Sequence, residues 1–300
     1  MTSVADALNA SFYRLNGEEL QFFKSQTGIQ DEEELKKHIM EVQQEAWEVH
    51  PYPCIRGFVF TRLKISRLPA YQQLLKLGTE REGAIFLDIG CCCQVGNDLR
   101  KAIADGFPAE NAIASDLYAE FLQLGHKLFK TAPETFAAHF IPGNALDQAF
   151  LKTVPPFYSP PETARPDLSS LNTLSPLAGH VSVIHASELF HLFDEPQQLE
   201  LAHALAGLLS PEPGSFIFGE HGGKPVKGYR TEGRPRRDGT YRFCHSPETW
   251  TALWDGEVFA KGTVRVEARL LEIQGLDLNM VADPNTDAKF WIMLWSVTRV

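Results

Sequence analysis

The sequence predicts an α/β fold whose sheet is mostly parallel and ends in an antiparallel pair of strands. From residue 84 onward, short apolar runs alternate with helical segments, which is the pattern of successive βα units. The run 84–89 is almost continuously apolar, as expected of a strand buried on both faces. Near the end of the chain, an alternating segment at 264–270 and an apolar segment at 289–300 are joined without a long crossover helix. Two strands connected in this way are most simply antiparallel.

The remaining elements follow from the same reading of apolar runs and helix signals. Further strands are predicted at 111–115, 137–141, 181–185 and 214–220, with helices near 95–105, 117–130 and 195–209. Asp194 is expected to cap the third of these helices, and Ser246 is expected to cap another that begins with Pro247.

The segment before the first strand is predicted to be helical. Asp31 can cap a helix in which Leu35, Ile39 and Val42 recur at helical spacing. We therefore expect residues 1–82 to form a helical cap over the domain at 83–300. Within that domain, the Gly-, Pro- and Arg-rich stretch 221–242 is predicted to be a basic, lid-like insertion.

Composition limits the possible partners and compartments. The net charge of −10 argues against a general nucleic-acid surface. No apolar run is long enough for a membrane span, and no secretory signal is readable. The odd number of cysteines, three of them adjacent, fits neither a disulfide framework nor a zinc site. We expect a cytoplasmic protein without a metal that binds a small molecule, and a homodimer is left open.

Two acidic residues end successive predicted strands. Asp88 and Gly90 form a D-x-G turn after the first strand, and Asp116 follows the second. A carboxylate at the second position commonly accepts hydrogen bonds from the vicinal hydroxyls of a ribose. The turn lacks the third glycine of G-x-G-x-x-G, which disfavours a nicotinamide or flavin dinucleotide, and no P-loop motif is present.

These residues resemble motif I and the ribose-binding acid of class I S-adenosylmethionine-dependent methyltransferases. The chain is more specifically similar to a fungal subgroup that methylates secondary metabolites, including the carboxyl groups of meroterpenoids. The similarity spans roughly residues 50–255 and rests on the segments 52–55, 87–92, 98–100, 105–108, 115–117, 187–193, 213–215 and 245–248.

The resemblance implies a Rossmann-like sheet of seven strands that binds S-adenosyl-L-methionine and releases S-adenosyl-L-homocysteine. By position, the cofactor-binding residues it implies are Asp88, Gly90, Cys91, Cys92, Asp116, Leu117, Asn144, Ala145, Leu146, His185 and Ala186. Asn144 stands where an aspartate is common in the family, and its amide carbonyl can still accept a hydrogen bond from the adenine amino group.

Histidines at the predicted strand ends are candidates for a general base. His191 and His221 are the favoured catalytic candidates, although each also has a structural explanation. In the basic stretch, Arg230 or Arg242 can clamp a carboxylate with two parallel hydrogen bonds. Tyr52 and His245 complete the set of candidate substrate-binding residues. The alternative, in which the basic stretch is only a solvated loop, stays open.

The predicted activity is O-methylation of a carboxylic acid or hydroxyl group of a terpenoid or polyketide intermediate. A carboxylate needs no base, since its unperturbed pKa is about 4, whereas a phenol or enol benefits from one. One alternative is a methyltransferase-like protein that catalyses a cyclisation or pericyclic step without methyl transfer. The other is a non-catalytic binding protein, which the Asp88, Gly90 and Asp116 set disfavours.

Overall fold

Seven strands form the central sheet of the computed structural model, in the order β3-β2-β1-β4-β5-β9-β8. The structure describes residues 8–91, 97–233, 235–236, 238–274 and 288–300. The strands of this sheet are β1 (Ile85–Ile89), β2 (Ala112–Ser115), β3 (His139–Phe140), β4 (Val181–His185), β5 (Phe216–Gly223), β8 (Val264–Glu272) and β9 (Trp291–Arg299). The first five run parallel, and β9 is antiparallel to both β5 and β8. The predicted fold class is therefore confirmed.

α-Helices, short 3-10 helices and one hairpin complete the described elements. The hairpin pairs β6 (Gly228–Tyr229) with β7 (Phe243–Cys244). The helices are α1 (Gly17–Thr27), α2 (Glu32–Val49), α3 (Pro53–Arg56), α4 (Tyr71–Glu80), α5 (Asn97–Ala104), α6 (Ala119–Leu128), α7 (Glu195–Leu208) and α8 (Pro247–Trp254). None of these helices is long and apolar enough to cross a bilayer.

The capping residues explain where three helices begin. The Asp31 carboxylate accepts a hydrogen bond from the Glu34 backbone N–H and starts α2. Asp194 and Gln197 form a reciprocal capping box at the start of α7, and Ser246 with Thr249 forms another at α8. These starts confirm the predicted caps.

Strand β5 extends further than the sequence indicated. Strand β5 continues to Gly223, because residues 220–223 pair with residues 291–294 of β9. The prediction that a lid-like insertion begins at residue 221 is thus wrong at that end. The irregular stretch begins at Lys224, and its two arms are tied by the β6–β7 hairpin.

Both faces of the sheet are covered, and the N-terminal segment forms a third apolar cluster. On one face, α7 and α8 pack against β4, β5 and β9, with Trp250 and Trp254 fully buried. On the other face, Leu74 of α4 and Leu99 of α5 pack against Phe86 of β1. Helices α1 and α2 bury their apolar sides against α6. The N-terminal segment thus packs beside the carboxyl end of β2, where α6 starts.

Candidate active site

The end of β1 forms a tight turn against the end of β2. The backbone N–H groups of Gly90 and Cys91 both donate to the Ser115 carbonyl, at 2.9 and 3.3 Å. Gly90 has a φ of +72°, and a Cβ built there would lie 2.8 Å from the Leu189 side chain. Only glycine fits this conformation at this approach. Cys91 is buried, whereas Cys92 lies outside the described residues.

The predicted ribose and adenine residues lie together at the ends of β2 and β3. The Asp116 carboxylate accepts a hydrogen bond from the Tyr118 backbone N–H at 3.2 Å, and the Asp116 carbonyl accepts one from Gly143 at 2.8 Å. Immediately after Gly143, the Asn144 side-chain carbonyl accepts a hydrogen bond from the Leu146 N–H at 3.0 Å. These bonds fix both side chains at one edge of the sheet.

The apolar neighbours of these polar groups differ in exposure. Leu117, which follows Asp116, is 52% exposed, while Ala145 and Leu146 are partly buried against the core. An exposed leucine beside a ribose-binding acid offers the apolar surface that the flat face of a purine requires.

A buried chain of hydrogen bonds links β1 to β4. His185 lies directly opposite Asp88 in the sheet, and its Nδ1 is 2.8 Å from an Asp88 carboxylate oxygen. His185 Nε2 is 2.7 Å from the Ser187 Oγ, which also accepts a hydrogen bond from the Glu220 N–H at 3.1 Å. Burial alone would lower the pKa of His185, but the Asp88 carboxylate outweighs it and raises that pKa above its usual value. The predicted cofactor residues Asp88 and His185 are thus in direct contact, and Ala186 continues the strand by donating to Phe218.

An ion-pair cluster around the largely buried Lys64 side chain connects the N-terminal segment to the sheet. Lys64 Nζ lies 3.5 Å from a Glu188 carboxylate oxygen and 3.4 Å from one of Glu220. Burial opposes the charge of Lys64, yet these two carboxylates raise its pKa. Burial raises the pKa of Glu220, and the Lys64 charge opposes that shift. Glu188 has a φ of +56°, unusual for a residue with a side chain, and its N–H donates to the Glu220 carbonyl at 2.6 Å.

Three arginines from the hairpin region surround His191, and we call Arg230, Arg236 and Arg242 the arginine set. Arg236 donates to the His191 carbonyl at 2.7 Å, and the Arg230 N–H donates to the Arg242 carbonyl at 2.8 Å. A Cβ added to Gly222 would lie 3.1 Å from an Arg230 guanidinium nitrogen, so this glycine lets the guanidinium approach β5. Burial, and then the charges of Arg230 and Arg236, lower the pKa of Arg242.

Carboxylates near the arginine set have other partners. Glu232 pairs with Lys224, Glu195 with Lys227, and Glu188 with Lys64. Among the described residues, no carboxylate lies within salt-bridge distance of the three guanidinium groups. The set is therefore a local excess of positive charge in a chain whose net charge is −10.

The remaining predicted residues lie away from this set or beneath it. His221 is 1% exposed, and its Nδ1 accepts a hydrogen bond from the Trp295 indole at 3.0 Å. Burial lowers its pKa well below the usual value. The position does not support a general base, because the ring is part of an aromatic cluster with Phe190, Trp250 and Trp295.

His245 and Tyr52 lie in two different surroundings. The His245 ring is buried and forms a hydrogen bond with the Thr249 hydroxyl at 3.0 Å. It also packs against Trp250, so it stabilises the β6–β7 hairpin from its buried side. Tyr52 packs on His50 and Phe121 near α6, with Tyr118 beside them. The structure thus brings Arg230, Arg242 and His191 together. Tyr52 lies instead at the start of α6, on the same side of the molecule as Asp116.

The sequence reading missed Lys64, Ser187, Glu188, Glu220 and Arg236 as site residues. Ser187 and Glu188 follow a predicted strand, and that position was the available signal. Lys64 carries no such signal, since only the folded chain brings it to Glu188 and Glu220. Within the described ranges, no three His, Cys, Asp or Glu side chains are grouped as a metal site requires.

The fold and site define the class of protein. A sheet in the order 3-2-1-4-5-9-8, with a glycine turn after β1 and an acid after β2, is that of a class I S-adenosylmethionine-dependent methyltransferase. Comparison with known proteins narrows the class. Residues 9–61 match the model of the meroterpenoid methyltransferase N-terminal domain.

Two curated relatives show the family. The O-methyltransferase phiE of a fungal species is 32% identical over 241 residues, which is 80% of this chain and 71% of that protein. The asnovolin E/chermesin D methyltransferase nvfJ of Aspergillus novofumigatus is 32% identical, over 74% of this chain and 69% of that protein. The chain belongs to this family of fungal secondary-metabolite methyltransferases.

Solved structures resemble the chain more distantly. A SAM-dependent methyltransferase from Archaeoglobus fulgidus has a TM-score of 0.43 and 14% identity, over 78% of this chain and 92% of that one. A pericyclic reaction enzyme has a TM-score of 0.43 and 14% identity, over 77% of this chain and 47% of that one. At these TM-scores the likeness carries no information about the reaction.

Proposed function

We propose that this enzyme transfers a methyl group from S-adenosylmethionine to the carboxylate of a fungal terpenoid or polyketide acid. One carboxylate oxygen bonds to the methyl carbon as the carbon–sulfur bond breaks, giving a methyl ester and S-adenosylhomocysteine. The single observation that supports this choice most strongly is the arginine set, which surrounds His191 without a carboxylate partner among the described residues.

The residues at the first two strand ends fit the methyl donor. A vicinal diol donates two hydrogen bonds that the Asp116 carboxylate can accept, and Leu117 offers an exposed apolar surface beside it. Gly90 has a left-handed backbone, which forms a tight turn at the carboxyl end of β1, where open α/β sheets bind their ligands. When bound there, S-adenosylmethionine supplies a methyl group that is already activated on a sulfonium.

The protein's task is then to bind and orient the acceptor. Guanidinium groups form charge-assisted hydrogen bonds with carboxylates, and Arg230 and Arg242 retain no anionic partner among the described side chains. An acid with a pKa of about 4 is ionised at neutral pH, so its attack needs no proton transfer. Holding two reactants in a reactive orientation accounts for a large part of the acceleration in such a displacement.

An apolar rim on the segments that carry His191 and Arg230 suits the hydrocarbon body of such an acid. The Lys227–Glu195 ion pair, at 2.7 Å, ties the turn before β6 to the start of α7. The exposed apolar side chains of this rim are Leu192, Val226 and Tyr229. A positive site bordered by apolar surface matches an amphipathic acid better than a small polar one.

A methyl-transfer assay on separated extract fractions tests this proposal. We expect the protein, given S-adenosylmethionine with a labelled methyl group, to label products derived from the acidic fraction of a fungal culture extract and to convert them to neutral compounds. Label that enters only the neutral and phenolic fractions would refute the carboxylate assignment. Binding of S-adenosylmethionine without any transfer would instead favour the cyclisation or pericyclic alternative.

A pair of variants then tests the role of the arginine set. Arg242→Gln should lower the initial rate on the acidic fraction by about 10- to 100-fold, because a charge-assisted hydrogen bond is lost. Lys227→Gln is the matched control, since it removes one positive charge from the same stretch but that lysine pairs with Glu195. Equal rates for the two variants would show that the arginine set contributes only general positive charge at the surface.

A further inference from the structure

The two ring nitrogens of His191 have different surroundings. Nδ1 lies 3.3 Å from the Gly222 backbone nitrogen, which can only donate a hydrogen bond. Nδ1 must therefore accept, and a neutral imidazole that accepts at Nδ1 carries its proton on Nε2. Nε2, the ring nitrogen that remains for a ligand, is thus a hydrogen-bond donor.

The groups that face His191 are one carboxylate, one histidine and several cations. They are Glu188, three residues before it, Lys64 from the N-terminal segment, His221 on β5 and the arginine set. Burial, followed by the charges of Arg242, Arg230, Lys64 and Arg236, lowers the pKa of His191 well below its usual value. The Glu188 carboxylate is 3.9 Å from Nε2, too far for a hydrogen bond, and it is paired with Lys64.

We infer that His191 is a neutral hydrogen-bond donor, which binds the acceptor's carboxylate through Nε2–H and restricts the enzyme to acceptors that ionise without a base. The inference rests on the proposed function and adds a specificity-determining residue to it. In a carboxylate acceptor, the oxygen that does not react becomes the ester carbonyl and can accept this hydrogen bond throughout.

A hydroxyl acceptor finds no suitable base among the described side chains that face His191. The ring of His221 lies in the aromatic cluster, and burial lowers the pKa of His245 to about 4. Glu188 and Glu220 are engaged by Lys64, and carboxylates are poor bases for an alcohol. An alcohol or unactivated phenol must lose a proton during transfer, so the site discriminates against both.

Nuclear magnetic resonance of the free protein tests the protonation of His191 directly. In protein labelled with ¹⁵N-histidine, the His191 signals are identified by their loss in His191→Gln. We expect a neutral ring with the proton on Nε2 throughout pH 6–8, because its pKa lies well below 6.5. An imidazolium, or a proton on Nδ1, in this range would overturn the inference whether or not the protein forms methyl esters.

A titration with a matched acid and alcohol tests the donor role. We expect farnesoate to shift the His191 Nε2–H signal and farnesol, which has the same chain, to leave it in place. No shift with farnesoate, or equal shifts with both, would overturn the role.

Two amide variants separate a donor from a base. Glutamine places its amide N–H near the position of Nε2, whereas asparagine places it near Nδ1. His191→Gln should keep the rate on the acidic fraction within about tenfold, and His191→Asn should lose about 10- to 100-fold. Equal loss in both variants, with a wild-type rate that rises with pH near 6.5, would assign a base instead. If the enzyme still formed methyl esters although His191 acted as a base, the donor role would be wrong and the proposed function would stand.

Discussion

At the scale of single residues, two hydrogen bonds fix Asp116 at the carboxyl end of β2. Its carboxylate already accepts the Tyr118 N–H, and its carbonyl accepts the Gly143 N–H. The turn therefore holds the carboxylate in place before any ligand binds. Such preorganisation lowers the entropy lost when the ligand is bound.

We predict that Asp116→Asn weakens S-adenosylmethionine binding by about tenfold or more, because a charge-assisted hydrogen bond to a ribose hydroxyl is lost. The asparagine carbonyl can still accept the Tyr118 N–H, so the fold should be kept. Isothermal titration calorimetry measures the change. Asp167→Asn is the matched control, since Asp167 accepts a hydrogen bond from Ser169 in the same kind of turn. Unchanged affinity in Asp116→Asn would refute the ribose assignment.

At this scale, the sequence predicted the role of a residue only where that role follows from the position of the residue along a strand. Asp88, Asp116 and Asn144 could be predicted because each follows or ends an apolar run at one edge of a parallel sheet. Glu188 could not, since its importance comes from a left-handed backbone and from Lys64, which lies 124 positions earlier in the chain. His221 looked catalytic from its position near a strand end, but the Trp295 and Trp250 rings around it depend on β9 and α8.

At the scale of elements, the β6–β7 hairpin is anchored rather than loose. Arg236 bonds to the His191 carbonyl, Lys227 pairs with Glu195, and the Lys224 N–H donates to the His245 carbonyl. The basic composition of this stretch left both a lid or rim and a solvated loop open. Its attachments to His191 and α7 are long-range contacts, which composition cannot indicate.

Burial of His245 at the start of α8 makes the stability of this region depend on pH. Its pKa is lowered to about 4, so between pH 6.5 and 4 the unfolded chain binds a proton there that the folded protein does not. Stability from this group is therefore present above pH 6.5 and is lost as the pH falls.

We predict that wild type loses about 2 kcal/mol more free energy of unfolding between pH 7 and 5 than His245→Phe, which keeps an aromatic ring but cannot titrate. Urea unfolding at the two pH values measures this difference. Identical losses in both proteins would show that His245 is protonated in the folded state.

At the scale of the whole molecule, Lys64 links the N-terminal segment to the sheet. Helices α1 and α2 pack on α6, and Lys64 reaches the carboxylates that follow β4 and lie on β5. The alternation of strands and helices predicted the sheet and its antiparallel end. It did not predict this link, because a single lysine in a connecting segment has no periodic pattern. The boundary at residue 82 stays a prediction.

We predict that Lys64→Met lowers the free energy of unfolding by about 3 kcal/mol, because Glu188 and Glu220 lose their buried cation. Adding Glu220→Gln should recover part of the loss. Lys127→Met is the control, since its ion pair with Glu45 is partly exposed and should contribute less than about 1 kcal/mol. Urea unfolding compares the three proteins. Equal effects at Lys64 and Lys127 would contradict a structural role for the cluster around Lys64.

The central claim, that a carboxylate accepts the methyl group, is tested most directly by the lability of the transferred methyl. The product is made with S-adenosylmethionine carrying a ¹³C-methyl group, purified and then saponified. A methyl ester releases the label as ¹³C-methanol and regenerates the acid. Label that stays on the product after saponification would show an ether, carbon or nitrogen acceptor and would contradict the account.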